Sequence, residues 1–223
     1  MEGWKSWFID RFYSNHNDSP VVKRELDALL GNMPGENVIL NVGSGNKRLR
    51  PWVQNLDITP GSNVDYVASA ECMPIESSSV DILITQETFE HISSPGAAMN
   101  EVFRVLKPGG QLYLQVPFII GYHSLPSDFW RFSQKGIEEF VRSAGFIPKK
   151  VEIATGSATG FYRIATEFMA ILFSLVHPRC YLPAKGVFAF LLYPIKALDG
   201  PFRRSAYNDR IAGGCYCIAQ KPF

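Results

Sequence analysis

A short apolar strand that ends in two glycines is the feature that most constrains the fold of this chain. Residues 38–42 form an apolar run, and Gly43-Ser44-Gly45 follows it directly. Glycine has no Cβ, so the backbone of such a turn can pass close to a ligand. The next apolar run, residues 53–58, carries Asp57 near its end, where a carboxylate can accept hydrogen bonds from both hydroxyls of a ribose. The turn and the acid together predict a ligand that carries a ribose.

The connection between these two strands is too short for a dinucleotide-binding fold. Asp57 lies 12 residues after Gly45, whereas dinucleotide folds place the acid about 20 residues on. Residues 44–52 are too few for a crossover helix, which needs about a dozen residues, and Pro51 interrupts them. We therefore expect a loop or one helical turn. The third glycine of a G-x-G-x-x-G pattern is also missing, which disfavours a pyrophosphate ligand.

Strands and helices alternate along most of the chain, which predicts an α/β fold. The arrangement is a doubly wound, mainly parallel sheet with helices on both faces. The predicted strands span residues 38–42, 53–58, 66–69, 80–85, 111–116, 149–154 and 214–219. A helix is predicted over residues 97–106, ended by Lys107-Pro108-Gly109-Gly110, and another over residues 133–144, with Ser133 as its N-cap.

Two regions depart from this alternation. Residues 1–35 are predicted as an N-terminal helical extension, because Asp18-Ser19-Pro20 supplies a cap and a first-turn proline. Residues 36–223 are predicted as one domain with a helical insertion at about 160–205, which contains two short apolar segments. These segments can cover the sheet, form a membrane-surface patch beside basic residues, or form a dimer contact. The oligomeric state stays open.

Composition narrows the class of partner and the compartment. The 223 residues carry a net charge of +1, so no basic field predicts a nucleic-acid partner. Four scattered cysteines include Cys215 and Cys217 in a strand-like run, which is typical of buried thiols in a reducing compartment. The first residues show no secretory signal, and no apolar run reaches the length of a membrane span. We expect a cytoplasmic protein.

Four motifs, in order and in register, resemble class I S-adenosylmethionine-dependent methyltransferases of the methyltransferase-11 type. The resemblance covers residues 38–148 and is carried by Ile39-Leu40-Asn41-Val42-Gly43-Ser44-Gly45 with Asn55-Leu56-Asp57-Ile58, Ala70-Glu71-Cys72-Met73-Pro74-Ile75, Gln86-Glu87-Thr88-Phe89-Glu90-His91-Ile92 and Glu101-Val102-Phe103-Arg104-Val105-Leu106-Lys107-Pro108-Gly109-Gly110. It implies a Rossmann-like class I methyltransferase fold with an antiparallel last strand, residues 36–223 as the methyltransferase domain, and S-adenosyl-L-methionine as cofactor.

The resemblance also implies which residues contact the cofactor. The methionine half lies on the glycine turn, the ribose on the second strand, the adenine beside the third and the sulfonium beside the fourth. In that order these residues are Asn41, Gly43, Ser44 and Gly45; Asp57; Ser69, Ala70 and Glu71; Gln86 and Glu87. Ile58, next to Asp57, is a further cofactor-binding residue. The family usually has acids at positions 41 and 69. Their replacement motivates one alternative, a non-catalytic cofactor-binding protein; a nicotinamide-dependent oxidoreductase is the other.

The segment after the fifth strand carries the predicted acceptor side. Its residues 116–133 resemble a subset of the family tied to cell-surface sugar or glycolipid synthesis. We expect His123 to be a general base, Asp128 to orient it or bind substrate, and Arg131 to bind an acceptor phosphate or carboxylate. The alternatives are an exposed loop histidine and a structural ion pair between Asp128 and Arg131.

The predicted reaction is O-methylation of a small or glycan/lipid-linked acceptor. A helix-start or packing role is favoured for His91 over acid–base chemistry. No metal is expected, since the sequence shows no clustered set of histidine and acidic ligands.

Overall fold

A computed structural model describes residues 19–31, 37–123 and 127–223, which form a seven-stranded sheet and six α-helices. The strands are β1 (Ile39–Val42), β2 (Gln54–Asp57), β3 (Tyr66–Val67), β4 (Val80–Gln86), β5 (Leu106–Pro117), β6 (Ile147–Thr155) and β7 (Gly214–Gln220). The helices are α1 (Pro20–Leu30), α2 (Pro95–Val105), α3 (Gln134–Ser143), α4 (Ser157–Ser174), α5 (Tyr181–Leu192) and α6 (Asp199–Phe202). Short 3-10 turns span Phe89–His91, Pro178–Cys180 and Tyr193–Leu198.

The strand order is β3-β2-β1-β4-β5-β7-β6. Strands β1 to β5 pair in parallel. Strand β7 runs against β5, because the amide of Gly109 donates to Lys221 O while the amide of Lys221 donates to Gly110 O. The predicted fold, a mainly parallel α/β sheet with an antiparallel last strand, is confirmed.

The first three connections of the sheet are loops. Residues 43–53, 58–65 and 68–79 are all described by the structure, and none of these segments contains a helix. The predicted short first crossover is therefore confirmed. Strands β1, β2 and β3 therefore lead directly into loops at this edge of the sheet.

Strand β5 begins earlier than the sequence predicts. The Lys107-Pro108-Gly109-Gly110 segment was expected to separate helix and strand, but β5 starts at Leu106. Val80 pairs with Leu106, whereas Ile82 pairs with Gln111. A step of two residues along β4 therefore corresponds to a step of five residues along β5. Gly109 adopts a φ of +77° within this irregularity. The glycine therefore lets the strand bulge and continue instead of ending.

The chain forms two compact units. The described residues of the sheet unit lie in 30–116, 123–152 and 215–223, and those of the helical unit in 19–29, 117–122 and 153–214. The sheet unit has a continuous apolar core that includes Leu40, Phe89, Met99, Leu114 and Val141. The boundaries of the N-terminal extension and of the insertion at 160–205 stay predictions.

The helical unit buries small and polar side chains and exposes large apolar ones. On α4 the buried positions include Thr159, Tyr162, Thr166 and Ala170, and Tyr162 packs with Ala189 of α5 in a small cluster. Within the described residues, no helix is both long and apolar enough to cross a membrane.

Both cysteines of β7 are buried, as predicted. Burial raises the pKa of Cys215 and of Cys217 to about 12, so both side chains are neutral thiols.

Candidate functional site

The two glycines of the turn after β1 have different surroundings. Gly43 has a φ of +70°, and a Cβ built on it would lie 2.1 Å from the Thr88 hydroxyl oxygen. Gly45 has a φ of +53°, and a Cβ built there would meet nothing within 4 Å. Gly43 is thus required by packing inside the protein, whereas Gly45 faces open space. A ligand can approach the backbone at Gly45.

Asp57 at the end of β2 is linked directly to this turn. Its Oδ2 accepts the Gly45 amide at 2.7 Å, and its Oδ1 accepts the Thr59 amide at 2.8 Å. A carboxylate has about four acceptor positions, so both oxygens keep capacity for the hydroxyls of a ligand. Ile58, the next residue, exposes 67% of its surface. The predicted pair of a Cβ-free turn and a carboxylate therefore lies at one place.

Asn41 is buried inside the sheet unit. Its Nδ2 donates to Asn55 Oδ1 at 3.2 Å. The Asn55 Nδ2 in turn donates to the carbonyl of Asn63 at 2.8 Å. Nearby, Arg48 hydrogen-bonds Asp65, which lowers the pKa of that carboxyl. These contacts fix the loops that flank the turn and give Arg48 a structural role.

The residues predicted to border adenine lie after β3. The Ser69 hydroxyl accepts the amide of Glu71 at 3.1 Å, and Glu71 Oε1 accepts the amide of Ser94 at 3.2 Å. Ser69, Ala70 and Glu71 are all half-buried. Hydrogen bonds of this segment with itself and with the start of α2 therefore hold it in place.

The end of β4 has a strained backbone. Glu87 adopts a φ of +51°, which is costly for a residue with a side chain. Gln115 of β5 holds it, since the Glu87 amide donates to Gln115 O at 3.0 Å and Gln115 Nε2 donates to Glu87 Oε1 at 3.1 Å. Gln86 Nε2 also donates to Gln115 Oε1, at 3.0 Å. Sequence reasoning missed Gln115, although a glutamine within an apolar strand was a usable signal.

Thr88, also missed from the sequence, connects β4 to the glycine turn. Its side chain packs on Gly43, and its hydroxyl lies 3.5 Å from the carbonyl oxygens of Val42 and Gly43. The amide of His91 donates to Thr88 O and closes the 3-10 turn Phe89–His91.

Glu90 has the most unusual environment of these residues. Its side chain is fully buried, and neither carboxyl oxygen has a hydrogen-bond partner among the described residues. Burial, with a contribution from the charge of Glu87, raises the pKa of Glu90 to about 9. A buried carboxyl without hydrogen bonds is expensive and calls for a physical explanation.

The three predicted acceptor-side residues lie together. His123 Nδ1 is 3.3 Å from Asp128 Oδ2, which also accepts the His123 amide at 2.9 Å. Arg131 donates both guanidinium branches to Asp128. Burial acts to raise the pKa of Asp128, but the hydrogen bonds and positive charge of Arg131 and the His123 amide outweigh it, so this pKa is lowered. The ion pair between Asp128 and Arg131, left open by the sequence, is present.

The sequence shows no clustered set of histidine and acidic ligands, but the folded chain brings one together. One ligand atom from each of Glu90, His91 and His123 lies within 4.8 Å of the other two. The His91 and His123 rings meet edge to face, with centroids 5.0 Å apart. The sequence hid this cluster because 31 residues separate His91 from His123 along the chain.

The strand order, the glycine turn and the acid that follows it define a class I methyltransferase fold. Residues 40–114 match the family model described as a methyltransferase domain. The match covers 75 of the 223 residues and confirms the resemblance inferred from the sequence.

Two curated relatives share part of the sequence. An uncharacterized methyltransferase of Mycolicibacterium gilvum is 29% identical over 122 residues, which cover 50% of this chain and 47% of that protein. A ubiquinone/menaquinone biosynthesis C-methyltransferase of Pasteurella multocida is 32% identical over 80 residues, which cover 35% of this chain and 29% of that protein. The chain thus spans about half the length of the first relative and less of the second.

A solved structure shares the fold. The phosphoethanolamine N-methyltransferase 2 of Haemonchus contortus, in complex with phosphomonomethylethanolamine and S-adenosylhomocysteine, has a TM-score of 0.58 and 16% identity. The match covers 97% of this chain and 57% of that one. At this identity the likeness shows the fold alone.

Proposed function

We propose that this chain transfers a methyl group from S-adenosylmethionine to an oxygen atom of a small or glycan/lipid-linked acceptor. The observation that carries the proposal is the pair of Gly45 and Asp57. The Asp57 carboxylate lies 2.7 Å from the Gly45 amide, beside a Cβ position that is open to a ligand. A ribose diol can then bind the carboxylate while the methionine half of the cofactor lies on the turn.

The remaining cofactor contacts follow the ends of the strands. Ser44 and Asn41 belong to the methionine side, and Asn41 leaves this side without the charge that an acid would bring. Ile58 supports one face of the adenine with its exposed side chain, and the segment Ser69-Ala70-Glu71 borders the adenine edge. Gln86 and Glu87 lie beside the sulfonium, where the negative charge of Glu87 complements a cation.

The acceptor side is assigned to His123, positioned by Asp128 and Arg131. S-adenosylmethionine supplies a methyl group on a cationic sulfonium, and the sulfur keeps the electron pair of the broken C–S bond. The acceptor oxygen forms the new C–O bond and loses its proton to His123 or to water. Asp128 sets the ring orientation of His123, and Arg131 keeps Asp128 ionised.

The test measures binding and turnover separately. Calorimetry with S-adenosylmethionine and with NAD tests the cofactor, and S-adenosylhomocysteine formation against a panel of sugar, lipid and phenolic acceptors tests the reaction. We expect S-adenosylmethionine to bind and a hydroxyl acceptor to be methylated. Binding of NAD in its place contradicts the proposal, and cofactor binding without turnover on any acceptor favours a non-catalytic binding protein.

Methylation at carbon is a second candidate, because one relative is a C-methyltransferase of quinone biosynthesis. A quinol carries hydroxyl groups and an activated ring carbon, so both products can form from one substrate. Mass spectrometry of a methylated quinol before and after ether cleavage distinguishes them, since only an O-methyl group is released.

We further propose that the helical unit contacts a membrane surface. Large apolar side chains recur along α4 at intervals of three and four residues, which places them on one helix face. These exposed residues are Phe161, Ile164, Phe168, Ile171 and Leu172. Residues 175–176 extend the exposed stripe, and Arg179, Arg203 and Arg204 are exposed basic residues of the same unit. An apolar stripe and exposed basic side chains in one unit suit an anionic lipid interface.

Vesicle flotation tests this contact, with phosphatidylcholine vesicles that either contain or lack phosphatidylserine. We expect binding that falls with Phe168→Ser and, for vesicles with phosphatidylserine, with Arg203→Gln/Arg204→Gln. Val67→Ser is the matched control, because Val67 is an exposed apolar residue of the sheet unit. Flotation that is equal for Phe168→Ser, Val67→Ser and the unaltered chain contradicts the proposal. Cytoplasmic localisation, with peripheral attachment to a membrane, stays a prediction.

A further inference from the structure

We infer that Glu90, His91 and His123 form a binding site for a divalent transition-metal ion. The three side chains supply one carboxylate and two imidazoles, and their ligand atoms lie within 4.8 Å of one another. The Nε2 atom of His91 is 3.6 Å from Glu90 Oε1. Two ligand atoms on one tetrahedral zinc ion lie about 3.4 Å apart, given bonds of about 2.1 Å. The widest pair, within 4.8 Å, therefore has to close by at most about 1.4 Å, which side-chain rotation allows.

Glu90 supplies the independent reason to place a cation here. Its carboxyl group is fully buried, and both oxygens are without hydrogen bonds among the described residues. Native proteins rarely leave such a group uncompensated. A metal ion between Glu90 and the two imidazoles would satisfy the carboxylate directly.

Each histidine also has the outer partner that metal-bound histidines usually have. Nδ1 of His91 contacts the carbonyl oxygen of Ser127, and Nδ1 of His123 lies 3.3 Å from the Asp128 carboxylate. Hydrogen bonds of this kind fix the tautomer and orient Nε2 toward a metal. Two imidazoles and one carboxylate are the ligands of mononuclear zinc and of non-haem iron(II) sites. Nitrogen ligands favour transition metals over Mg²⁺ or Ca²⁺.

The role of the ion rests on the proposed function. Glu90 follows Glu87, assigned above to the sulfonium side, by three residues, and His123 is the acceptor-side residue. A cation bound between them would coordinate the acceptor hydroxyl and lower its pKa. His123 then acts as a ligand, and the hydroxyl proton passes to water.

The test uses the full chain, stripped of metal with a chelator and titrated with Zn²⁺ by calorimetry. We expect one ion per chain. We also expect His91→Ala and His123→Ala to weaken affinity by more than the 10–100-fold typical of losing an outer-shell partner. His177→Ala is the matched control, because its ring, outside the cluster, accepts the Arg179 amide. Glu90→Gln removes the carboxylate charge but keeps the shape, so zinc should raise the melting temperature of the unaltered chain and not of this variant.

The absorption spectrum of the Co²⁺ form provides a second readout. Nitrogen and oxygen ligands give d–d bands without thiolate-to-cobalt charge-transfer bands. Charge-transfer bands that are present in the unaltered chain and absent in Cys72→Ser would identify a cysteine site and overturn the proposal. Absence of zinc binding, or equal affinity of His91→Ala and His177→Ala, also overturns it. S-adenosylmethionine binding is measured on the same metal-free protein. If S-adenosylmethionine does not bind but zinc does, the result contradicts the proposed function and not the metal site.

Discussion

Asp128 holds His123 at two points: its Oδ2 lies 3.3 Å from Nδ1 of the ring and accepts the backbone amide of the same residue at 2.9 Å. The side chain of Asp128 is only 1% exposed, and Arg131 pairs with both of its oxygens. One buried carboxylate thus fixes both the backbone and the ring of the acceptor-side histidine. This arrangement makes Asp128 the most informative residue for a test of orientation.

Asp128→Asn should reduce turnover with little effect on cofactor affinity. The amide keeps the shape but loses the charge that sets the His123 tautomer, so we expect kcat to fall on the order of 10²-fold. Steady-state kinetics and calorimetry with S-adenosylmethionine measure the two effects. Asp209→Asn, a change at an exposed aspartate, controls for loss of an acid. A drop in cofactor affinity as large as that in kcat would contradict an acceptor-side role.

Asp57→Ala should weaken S-adenosylmethionine binding. The substitution removes the acceptor of the Gly45 and Thr59 amides and the proposed acceptor of the ribose hydroxyls. Hydrogen bonds to a charged group contribute about 1.5–3 kcal/mol, which corresponds to a loss of affinity of roughly 10–100-fold. Calorimetry checks the affinity, and Asp209→Ala is the control. Unchanged cofactor affinity in a folded Asp57→Ala protein rejects the ribose assignment.

The two glycines of the turn should respond differently to alanine. In Gly43→Ala the new Cβ would lie 2.1 Å from the Thr88 hydroxyl, so we expect both stability and cofactor binding to fall sharply. In Gly45→Ala the Cβ meets nothing, so stability should drop by only about 1 kcal/mol from the positive φ. Its methyl group occupies the space proposed for the cofactor, so binding should still fail. Thermal unfolding and calorimetry separate the outcomes; full cofactor affinity in Gly45→Ala would argue against a ligand there.

Gly160→Ala should destabilise the helical unit. A Cβ at Gly160 would lie 2.2 Å from the carbonyl oxygen of Ile211, a backbone atom that cannot rotate away. Overpacking of this kind typically costs about 1–3 kcal/mol. Gly96→Ala is the matched control, because Gly96 lies in α2 and its Cβ would meet nothing within 4 Å. Thermal unfolding should show a lower melting temperature for Gly160→Ala alone, and equal melting temperatures would count against the packing described.

Glu101 should stabilise the fold in a pH-dependent way. It pairs with Arg104 at 2.7 Å and accepts the Met73 amide at 2.8 Å. The hydrogen bond from Arg104, the largest contribution, lowers the pKa of Glu101. Because the folded-state pKa is the lower one, this stabilisation is present above the unfolded-state pKa and is lost as pH falls through the folded-state value.

Urea unfolding of Glu101→Gln and of the unaltered chain measures this contribution. At pH 7 we expect a difference of about 1 kcal/mol, since the pair is partly exposed to solvent. The difference should shrink as pH falls below about 4, where the carboxyl of the unfolded chain becomes protonated, and vanish once the folded state is protonated as well. A difference that does not vary between pH 7 and pH 3 would mean that the ionised carboxylate is not the stabilising form.

Local pattern was enough to predict the class of fold. Apolar runs alternate with helical segments, and the spacing between Gly45 and Asp57 correctly excluded a first crossover helix. The N-cap at Ser133 was also readable, since its hydroxyl accepts the Gly136 amide as the sequence predicts. The start of β5 could not be predicted from the sequence, because the Pro108-Gly109-Gly110 segment is typical of a turn between elements. Only pairing with β4 and β7 shows that the strand continues.

The sequence by itself determined the fold and the residues that stand at the ends of its strands, because periodicity and turn residues act over a few positions. The tertiary structure decided how those residues are used: Thr88 packs on Gly43, Gln115 supports Glu87, and Glu90 meets His91 and His123. These contacts join residues that lie far apart along the chain. Burial of a side chain such as Glu90, and the partners it lacks, are properties of the packed chain that no local pattern encodes.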